Sequence, residues 1–406
     1  MGAFLVGEEL KEALAIYPQY DDSIRKASKA ERLLALNQIF DIYYPSSMAA
    51  EIYSKLYLSY IRAMQKKNTL TAIRQGYENR KAARGQHYQG IIGGSDSFTI
   101  VGVSGIGKSS AISRAISIIS KDVYTEQNNT KIISFLMVQT PGDSSLKGLL
   151  LEMLRSIDAI LDTKYYADAI RSRATVDMLI GMVSQVCLNH VCVLIVDEAQ
   201  NLVAAKNGQT LVNALVQLIN NSGISLCFVG TPECNVFFES AFQLARRSVG
   251  LNYSALAYDD YFRSLCQIVF SYQYTAKAST LTEDMISWLY LHSGGITAVV
   301  VGLIHAAQEI AILEDSEELS METLGQAYKR RMAMLHGYLA ENKASFGSCA
   351  GALDKLDLKM VKENVGTAEI TIAEVVAKAK SENADIVYSI KQHFTVEEIE
   401  VWQAYR

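Results

Sequence analysis

The pattern of hydrophobic positions changes twice along the chain and divides it into three parts. Up to about residue 90, apolar residues recur at helical spacing, with a break at Tyr43-Tyr44-Pro45. Between about 98 and 255, short continuous apolar runs alternate with helical stretches. Beyond 257 the runs stop and helical spacing returns. The middle part is therefore predicted to be an α/β domain flanked by helical regions.

The runs of the middle part are typical of buried strands. They are continuously apolar, as in parallel strands whose two faces are both covered by helices. The prediction is an α/β fold with a five-stranded parallel sheet sandwiched by helices. The strands are expected near 98–102, 131–139, 191–196, 224–230 and 249–255, and the helices near 109–120, 145–161, 175–189, 209–221, 258–272, 282–292, 297–313, 320–334, 367–382 and 395–404.

This pattern predicts four parts in chain order. They are a mainly helical N-terminal extension (1–90), an α/β core (91–257), a small helical lid (258–338) and a C-terminal tail (339–406). The stretch 368–378 places its apolar residues on one helical face, which serves either packing on its own domain or partner binding. We assign the tail to partner binding.

Composition favours an ordered globular protein. Half of the 406 residues are hydrophobic and only four are proline. The net charge of −5 does not by itself point to nucleic acid. Seven Lys or Arg and a single acidic residue do lie between Arg62 and Arg84. This basic run is either a solvated helix face or a surface for DNA or another partner.

The remaining bulk features indicate a reduced, cytoplasmic protein with no membrane association. The six cysteines are scattered and form no CxxC pair or Cys/His cluster, so neither a zinc site nor a disulfide framework is expected. The N-terminus lacks the charge and apolar pattern of a signal peptide. No apolar stretch is long enough to span a membrane.

The first candidate for chemistry lies between the first strand and its helix. Residues 102–109 read Gly-Val-Ser-Gly-Ile-Gly-Lys-Ser, a complete GxxxxGK[ST] phosphate loop. Backbone N–H groups and the helix N-terminus would surround the phosphates, Lys108 would reach the β- and γ-phosphates, and Ser109 would bind Mg²⁺. The predicted nucleotide-binding residues are Gly102, Val103, Ser104, Gly105, Ile106, Gly107, Lys108, Ser109 and Ser110.

A second motif ends the strand near 191–196, where the apolar run is followed by Asp197 and Glu198. Carboxylates at the carboxyl end of a parallel strand lie where such sheets bind ligands. Asp197 would hold Mg²⁺ through water, and Glu198 would polarise the attacking water. The two motifs together predict binding and hydrolysis of a nucleoside triphosphate. Because a whole strand-helix unit separates them, the spacing favours the P-loop proteins with an added central strand.

Several segments resemble TnsC and TniB, the AAA+ ATPase regulators of transposons. The likeness covers about 98–315 and extends faintly over 40–85. It is carried by Ser144–Leu154, by Leu194–Leu202, by the Gly-Thr-Pro of Phe228–Glu233 and by the Ala-Arg-Arg of Leu244–Arg247.

The resemblance implies further roles in ATP hydrolysis. Thr231 would be the sensor at the end of the strand beside the second motif, and Arg246 or Arg247 would be the arginine finger that reaches a neighbouring subunit's nucleotide. Many AAA+ proteins also carry a sensor arginine at the start of a lid helix. The corresponding segment here, Ser293–Gly302, has no arginine, so slow hydrolysis is expected.

The resemblance also implies binding to double-stranded DNA, because family members form ATP-dependent rings or helical filaments on it. The implied contacts are Lys147, Lys164, Arg171 and Arg173, with Thr175 as a polar contact. Such side chains touch phosphates rather than bases, so binding would be independent of sequence and sensitive to salt.

The implied function is an ATP-dependent regulator that oligomerises on target DNA and activates transposition, in the cytoplasm and on the nucleoid. It would link a TniQ/TnsD-like target-selection protein to transposase subunits, with ATP and Mg²⁺ as cofactors. Two alternatives remain open at this point. One is a STAND-like signalling or scaffold NTPase without a DNA role, and the other is an ATPase resembling helicase loaders.

Overall fold

The computed structural model describes residues 2–67, 69–87, 89–93, 96–127, 130–140, 145–203, 208–235 and 248–333. Its centre is a six-stranded sheet with the spatial order β2-β3-β4-β5-β1-β6. All neighbouring strands are parallel except β2 and β3, which are antiparallel. The strands are β1 Ser97–Gly102, β2 Tyr124–Gln127, β3 Thr130–Gln139, β4 Val191–Asp197, β5 Ser225–Gly230 and β6 Ser248–Tyr253.

The five parallel strands confirm the predicted fold class, and β2 is an addition that the sequence analysis missed. β2 reads Tyr-Thr-Glu-Gln and lies at the edge of the sheet, paired with β3 alone. The hydrophobic pattern did not show it because an edge strand of this kind need not carry a buried apolar run.

Where a helix was predicted and is described, its ends agree with the prediction to within about three residues. The short helices α7 and α9 were not predicted, and the helices expected near 367–382 and 395–404 lie outside the described residues. The helices are α1 Gly7–Leu14, α2 Lys29–Leu36, α3 Ser47–Lys67, α4 Leu70–Ala83, α5 Lys108–Ile119, α6 Leu146–Leu161, α7 Tyr165–Arg171, α8 Val176–His190, α9 Gln200–Val203, α10 Gly208–Ser222, α11 Asp260–Ser271, α12 Glu283–Ser293, α13 Thr297–Leu313 and α14 Met321–Arg331.

Two hydrophobic clusters cover the two faces of the sheet. One joins α1, α3 and α5 to residues such as Phe98 and Val193, and the other joins α6, α8 and α10 to residues such as Leu194 and Phe228. Because β4 is buried along its whole apolar run, its alternate side chains supply both clusters. The N-terminal helices therefore complete the core of the α/β layer.

Helix α4 lies against α8. A Cβ at Gly181 of α8 would lie 2.5 Å from the backbone nitrogen of Ala83, so this crossing is very close. Two fully buried polar side chains fix the same face of α4. Gln75 Oε1 accepts from the backbone N–H of Ile92 at 2.9 Å, and Asn79 Nδ2 donates to Asn221 O at 2.8 Å. Helix α4 is thus firmly anchored through one face.

The segment before α3 fastens the helices that follow the sheet. Arg32 makes two bonds with the carboxylate of Glu317, at 2.5 and 2.7 Å, and a third with Tyr274 O at 3.1 Å. Only 4% of Arg32 is exposed. Tyrosine hydroxyls add further bonds to backbone carbonyls, namely Tyr20 to Gln273, Tyr272 to Pro18 and Tyr261 to Tyr44. We call this contact the lid junction.

Two smaller expectations concern the cysteines and the membrane. Cys192 and Cys227 lie in β4 and β5 and are fully buried, as predicted, and they are not bonded to each other. Within the described ranges, no helix combines the length and apolar character needed to cross a bilayer.

Candidate nucleotide-binding site

The phosphate loop connects β1 to α5 at the carboxyl edge of the sheet. Gly105 and Gly107 have φ angles of +83° and +96°, in the region that glycine adopts readily. At Gly102 a Cβ would lie 2.8 Å from Tyr253 O, so that position also requires glycine. The glycines of the motif thus let the chain turn tightly around a concave backbone surface.

Lys108 folds back over this loop. Its ammonium group donates to Gly102 O at 2.7 Å and to Val103 O at 3.0 Å. Burial lowers the pKa of Lys108, while the nearby carboxylates of Asp197 and Glu198 act in the opposite direction. The ammonium is therefore held in the concavity where the motif would place phosphate oxygens.

The second motif lies directly beside the loop. Ser109 Oγ is 3.4 Å from Asp197 Oδ2, which brings the two predicted metal-binding side chains together. Asp197 ends β4, and its carbonyl accepts from the backbone N–H and the hydroxyl of Thr140 at 3.1 and 3.0 Å. Glu198 follows with a φ of +56°, a backbone conformation that is unusual for a residue with a side chain.

Thr231 reaches the same site from the end of β5. Its hydroxyl is hydrogen-bonded to the carboxylate of Glu233, and it lines the same cavity as Glu198. This position, one strand away from Asp197, is the one expected for a side chain that contacts a γ-phosphate or the attacking water.

The sequence analysis missed Gln200, which joins Glu198 to the end of β5. Its amide Nε2 donates to the Glu198 carboxylate, and its Oε1 accepts from Thr231 N at 3.3 Å. A Cβ at Gly230 would lie 2.9 Å from Gln200 Oε1, so that glycine makes room for the amide. Its position could have indicated this role, because Gln200 follows Glu198 by only two residues, at the start of α9.

These groups surround a cavity of about 280 Å³. A second and larger cavity of about 610 Å³ lies next to the loop and shares Gly105, Gly107 and Ser110 with the first. Its walls are mostly apolar and aromatic and include Tyr43, Tyr44 and Tyr253. Because the residues of these walls come from distant parts of the chain, no local sequence pattern predicted this cavity.

Helix α13 meets the phosphate loop without an arginine. The backbone N–H of Ala298 donates to Gly105 O at 3.0 Å. A Cβ at Gly105 would lie 2.9 Å from Ile296 Cγ2 and 3.3 Å from Ala298 Cβ, so the two elements touch almost through backbone alone. The segment Ser293–Gly302, which lacks the sensor arginine of many AAA+ proteins, thus contacts the loop directly at the start of α13.

The donor set at Ser109 and Asp197 fits Mg²⁺. A hydroxyl and a carboxylate are hard oxygen donors, and Mg²⁺ in phosphate sites commonly takes one or two protein ligands and completes its shell with water and phosphate. Among the described residues, no three His, Cys, Asp or Glu side chains converge into a cage made of protein alone.

Two further groups of site residues were predicted. Arg246 and Arg247 are outside the described residues. The five predicted DNA contacts are exposed, but they do not form one cluster. Lys164 precedes Tyr165, whose hydroxyl lies 3.2 Å from His190 at the end of α8. Arg173 and Thr175 lie at the start of this 15-residue helix.

The other members of this set also have local roles. Thr175 caps α8 by accepting from Met178 N at 3.4 Å, and Arg171 pairs with Asp168 at 3.5 Å. Lys147 lies in the first turn of α6, so the 16 residues of that helix separate it from Lys164 as well. Lys147 and Lys164 therefore lie at opposite ends of α6, whereas Lys164 and Arg171 lie at the two ends of the short helix α7.

Comparisons with known proteins agree with this geometry. Residues 92–237 match the family model described as "AAA domain". A search of curated proteins by sequence found no match.

The solved structures that resemble the chain are distant from it. The Aeropyrum pernix ORC1 protein in complex with DNA is 13% identical, with a TM-score of 0.43 over 77% of this chain and 82% of that one. The Aeropyrum pernix ORC2 protein in its ADP form is 16% identical, with a TM-score of 0.41 over 64% of this chain and 66% of that one. Domain III of the Thermotoga maritima replication initiation protein DnaA is 14% identical, with a TM-score of 0.36 over 64% of this chain and 92% of that one.

These likenesses are too remote to assign a function, so the matched segment and the site geometry decide the classification. The matched range contains both nucleotide motifs and ends just after Thr231. The parallel strands, the glycine loop and the two carboxylates at the end of β4 have the arrangement that this family requires. Residues 92–237 match a model of the AAA domain, and the described chain has a mixed α/β fold with a mostly parallel six-stranded sheet, as in the P-loop NTPases.

Proposed function

We propose that the protein is an ATP-dependent switch that oligomerises on double-stranded DNA and activates transposition. The observation that carries the nucleotide part is the convergence of Lys108, Ser109, Asp197, Glu198 and Thr231 around one cavity. Each of these side chains has the chemistry that phosphoryl transfer from ATP to water requires.

In this proposal the triphosphate lies along the phosphate loop, and Lys108 moves from the loop carbonyls onto phosphate oxygens. Glu198 accepts a proton from the attacking water, whose oxygen bonds to the γ-phosphorus as the bond to the β–γ bridging oxygen breaks. Thr231 orients the γ-phosphate or that water from the neighbouring strand. Ser109 and Asp197 hold Mg²⁺, which neutralises phosphate charge when it is bound.

The larger cavity suits the nucleoside. It opens from the phosphate loop and is lined by aromatic and apolar residues of the N-terminal segment, β6 and α13. A flat heterocycle of the size of adenine fits walls of this kind, and few polar groups are then needed to orient it. The N-terminal segment would thus enclose the nucleotide together with the lid.

The DNA and transposition parts of the proposal rest on the resemblance to TnsC and TniB regulators. Exposed Lys147, Arg171 and Arg173 would contact phosphates, and repetition along an oligomer would give avidity to a chain of negative net charge. Arg246 or Arg247 would complete a neighbouring active site and so couple hydrolysis to assembly. The tail 339–406 would bind a transposase subunit or a TniQ/TnsD-like target-selection protein.

Electron microscopy with linear duplex DNA tests assembly directly. Rings or filaments are expected with a slowly hydrolysed ATP analogue and not with ADP. The Lys108→Ala variant should form neither, because it loses the contact with the phosphates. If Lys108→Ala assembles on DNA and supports targeted insertion as the parent protein does, the proposal is wrong.

A second candidate, a scaffold NTPase without a DNA role, is favoured by one observation. Lys147 and Lys164 lie at opposite ends of α6, so the five candidate DNA contacts do not form one cluster. The discriminating measurement is ATP hydrolysis with and without duplex DNA at physiological salt. A rise in kcat with DNA excludes the scaffold candidate, whereas an unchanged rate together with no assembly on DNA favours it.

A further inference from the structure

The outer face of α4 is an unpartnered surface of mixed apolar and basic character. Leu70, Ile73 and Tyr77 recur at helical spacing and are 76%, 70% and 58% exposed. Arg74, Arg80 and Arg84 are exposed on the same face. Within the described ranges these three arginine side chains have no hydrogen-bond or ion-pair partner. We call this surface the α4 patch.

The basic run of the sequence thus divides into two groups. Arg62 pairs with Asp96 at 2.8 Å, and Lys67 donates to Cys187 O and Leu188 O at 2.9 and 2.7 Å. The charges of Arg62 and Lys67 are therefore paired within the molecule. On α4, Lys81 pairs with Glu78, whereas the three exposed arginines have no such partner among the described residues. Because the opposite face of α4 is anchored, the patch is presented by a rigid element.

The composition of the patch favours a protein occupant. Phosphate backbones attract arginines but leave exposed Leu, Ile and Tyr side chains with nothing to bury. An acidic surface that also carries apolar side chains would satisfy both kinds of residue, and Tyr and Arg are enriched where interfaces gain most of their energy.

The chain itself carries such a surface at residues 4–12. Phe4 and Val6 are 43% and 62% exposed, and Glu8, Glu9 and Glu12 follow on exposed positions of α1. Within the described part of the chain, Glu9 and Glu12 have no ion-pair partner, while Glu8 pairs with Lys11 of the same helix. We call residues 4–12 the acidic segment.

A second acidic stretch also lies beside an exposed apolar side chain, Leu313, but its charges are already used. Glu314 pairs with Arg330, Asp315 with Lys29 and Glu317 with Arg32. The acidic segment therefore offers unpaired charge that this stretch lacks.

The two surfaces also match in arrangement. Each begins with apolar side chains and ends with charged ones, so a parallel alignment pairs Phe4 and Val6 with Leu70 and Ile73, and the glutamates with the arginines. The two surfaces belong to different parts of the fold, since α1 belongs to the cluster of α3 and α5 whereas α4 packs on α8. No hydrogen bond or ion pair joins the two surfaces within the described chain.

We propose that the acidic segment of one chain docks on the α4 patch of a second copy. Such a contact is heterologous, and its repetition generates a ring or a filament. The inference rests on the proposed function, because both require self-assembly. It adds a contact between subunits that lies outside the nucleotide site.

Charge reversal in the full-length protein tests the contact by sedimentation velocity, with and without a slowly hydrolysed ATP analogue. The pair R74E/R80E should weaken self-association at least about tenfold, because like charges then face each other. E9R/E12R should do the same. The quadruple variant, which restores opposite charges, should return to within about threefold of the parent protein. K121E/K277E is the matched control, since it makes the same change in net charge at exposed lysines elsewhere.

Several results would overturn the proposal. They are a monomeric parent protein under both conditions, an equal loss in K121E/K277E, and a quadruple variant that stays as weak as R74E/R80E. DNA binding that falls in R74E/R80E and does not recover in the quadruple variant would assign α4 to nucleic acid instead. Binding of a fluorescent ATP analogue at dilutions where the parent protein is monomeric separates this failure from that of the proposed function, because reversal on α4 should leave the nucleotide affinity of the monomer unchanged.

Discussion

The phosphate site and the lid junction are both built from side chains distant in sequence, but their polar groups are used differently. At the junction, the Arg32 guanidinium and the Glu317 carboxylate satisfy each other in a nearly dry environment. At the phosphate site, Lys108 rests on loop carbonyls and Ser109 lies 3.4 Å from Asp197, a long hydrogen bond. The first arrangement holds two elements together, and the second leaves donors that a triphosphate can take over.

This difference between the two regions concerns how the helices 258–333, which we call the lid, are attached to the phosphate loop. With no arginine between residues 293 and 302, the lid meets the loop through the backbone of Gly105 and Ala298. It is also held by a backbone hydrogen bond from Leu256 N to Gly295 O and by the N-terminal segment. A change at the site should therefore alter chemistry, whereas a change at the junction should alter how the lid is held.

The largest effect is expected from Glu198→Gln. Loss of the carboxylate that accepts the proton from water should lower kcat about 10²- to 10³-fold, since general bases contribute on this scale. Affinity for ATP and the stability of the lid junction should change little. Single-turnover hydrolysis and the binding of a fluorescent ATP analogue measure the two effects separately. A variant that hydrolyses ATP normally would remove Glu198 from the mechanism.

Arg32→Ala should produce the largest effect at the junction. It leaves the Glu317 carboxylate without its main partner, and breaking a buried ion pair costs about 3 kcal/mol. Hydrogen exchange should rise in segments 272–276 and 315–318, and the thermal midpoint should fall.

The matched control is Lys29→Ala, because the pair between Lys29 and Asp315 is exposed and should contribute less than about 1 kcal/mol. Equal losses in the two variants would mean that the junction is not held mainly by Arg32.

Gly105→Ala tests the contact that joins the two regions. The added Cβ at position 105 would contact Ile296 and Ala298, and the positive φ angle there would strain the backbone of an alanine. A Cβ at position 107 would meet no atom within 4 Å, so Gly107→Ala introduces the backbone strain alone. Both variants should lose about 1–2 kcal/mol of local stability from strain.

Only Gly105→Ala should also raise hydrogen exchange at the start of α13 in the nucleotide-free protein. The same exchange in Gly107→Ala would show that loop strain, rather than the direct contact, governs the lid.

Gln200→Ala should have a smaller effect, confined to the phosphate site. Without the amide, Glu198 loses a hydrogen bond that fixes its carboxylate relative to Thr231. We expect kcat to fall about five- to tenfold, with KM nearly constant.

Gln139→Ala is the control for this prediction, because Gln139 pairs with Asp197 across the sheet but has an exposed side chain with no bond to Glu198 in the described structure. A change in KM rather than kcat in Gln200→Ala would argue against a positioning role.

The sequence predicted the phosphate site far better than the junction, for a physical reason. Gly102–Ser109 and Asp197–Glu198 are contiguous motifs, because a strand end and a tight turn fix the geometry locally. Arg32 and Glu317 are 285 positions apart, and nothing near either residue indicates the other. The same holds for Tyr43 and Tyr253 in the larger cavity.

Two further sequence predictions were limited in other ways. The strand β2 lacked an apolar pattern, and the cations carried over from the resemblance could be assigned to helices but not to one surface. Helix spacing places residues on a face of their own helix, whereas the distance between Lys164 and Arg173 depends on how α7 connects α6 to α8.

The smallest effect should come from acidification, and it should act on the junction. His305 stacks on Phe40 of the N-terminal segment at 4.5 Å between ring centroids, and burial lowers its pKa from the ordinary value of 6.5. As the pH falls through 6.5, the unfolded chain takes up a proton that the folded chain resists, so stability decreases. Within the described residues, no histidine lines either cavity at the phosphate loop.

His305→Phe should keep the stacking and remove the titration. Unfolding followed between pH 7.5 and 5.5 should then show a shallower loss of stability than in the parent protein. His190, whose pKa burial also lowers, still titrates in this variant and explains a residual slope. An unchanged slope in His305→Phe would mean that the junction does not respond to pH through this residue, and that acid acts at the edge of the sheet near α8 instead.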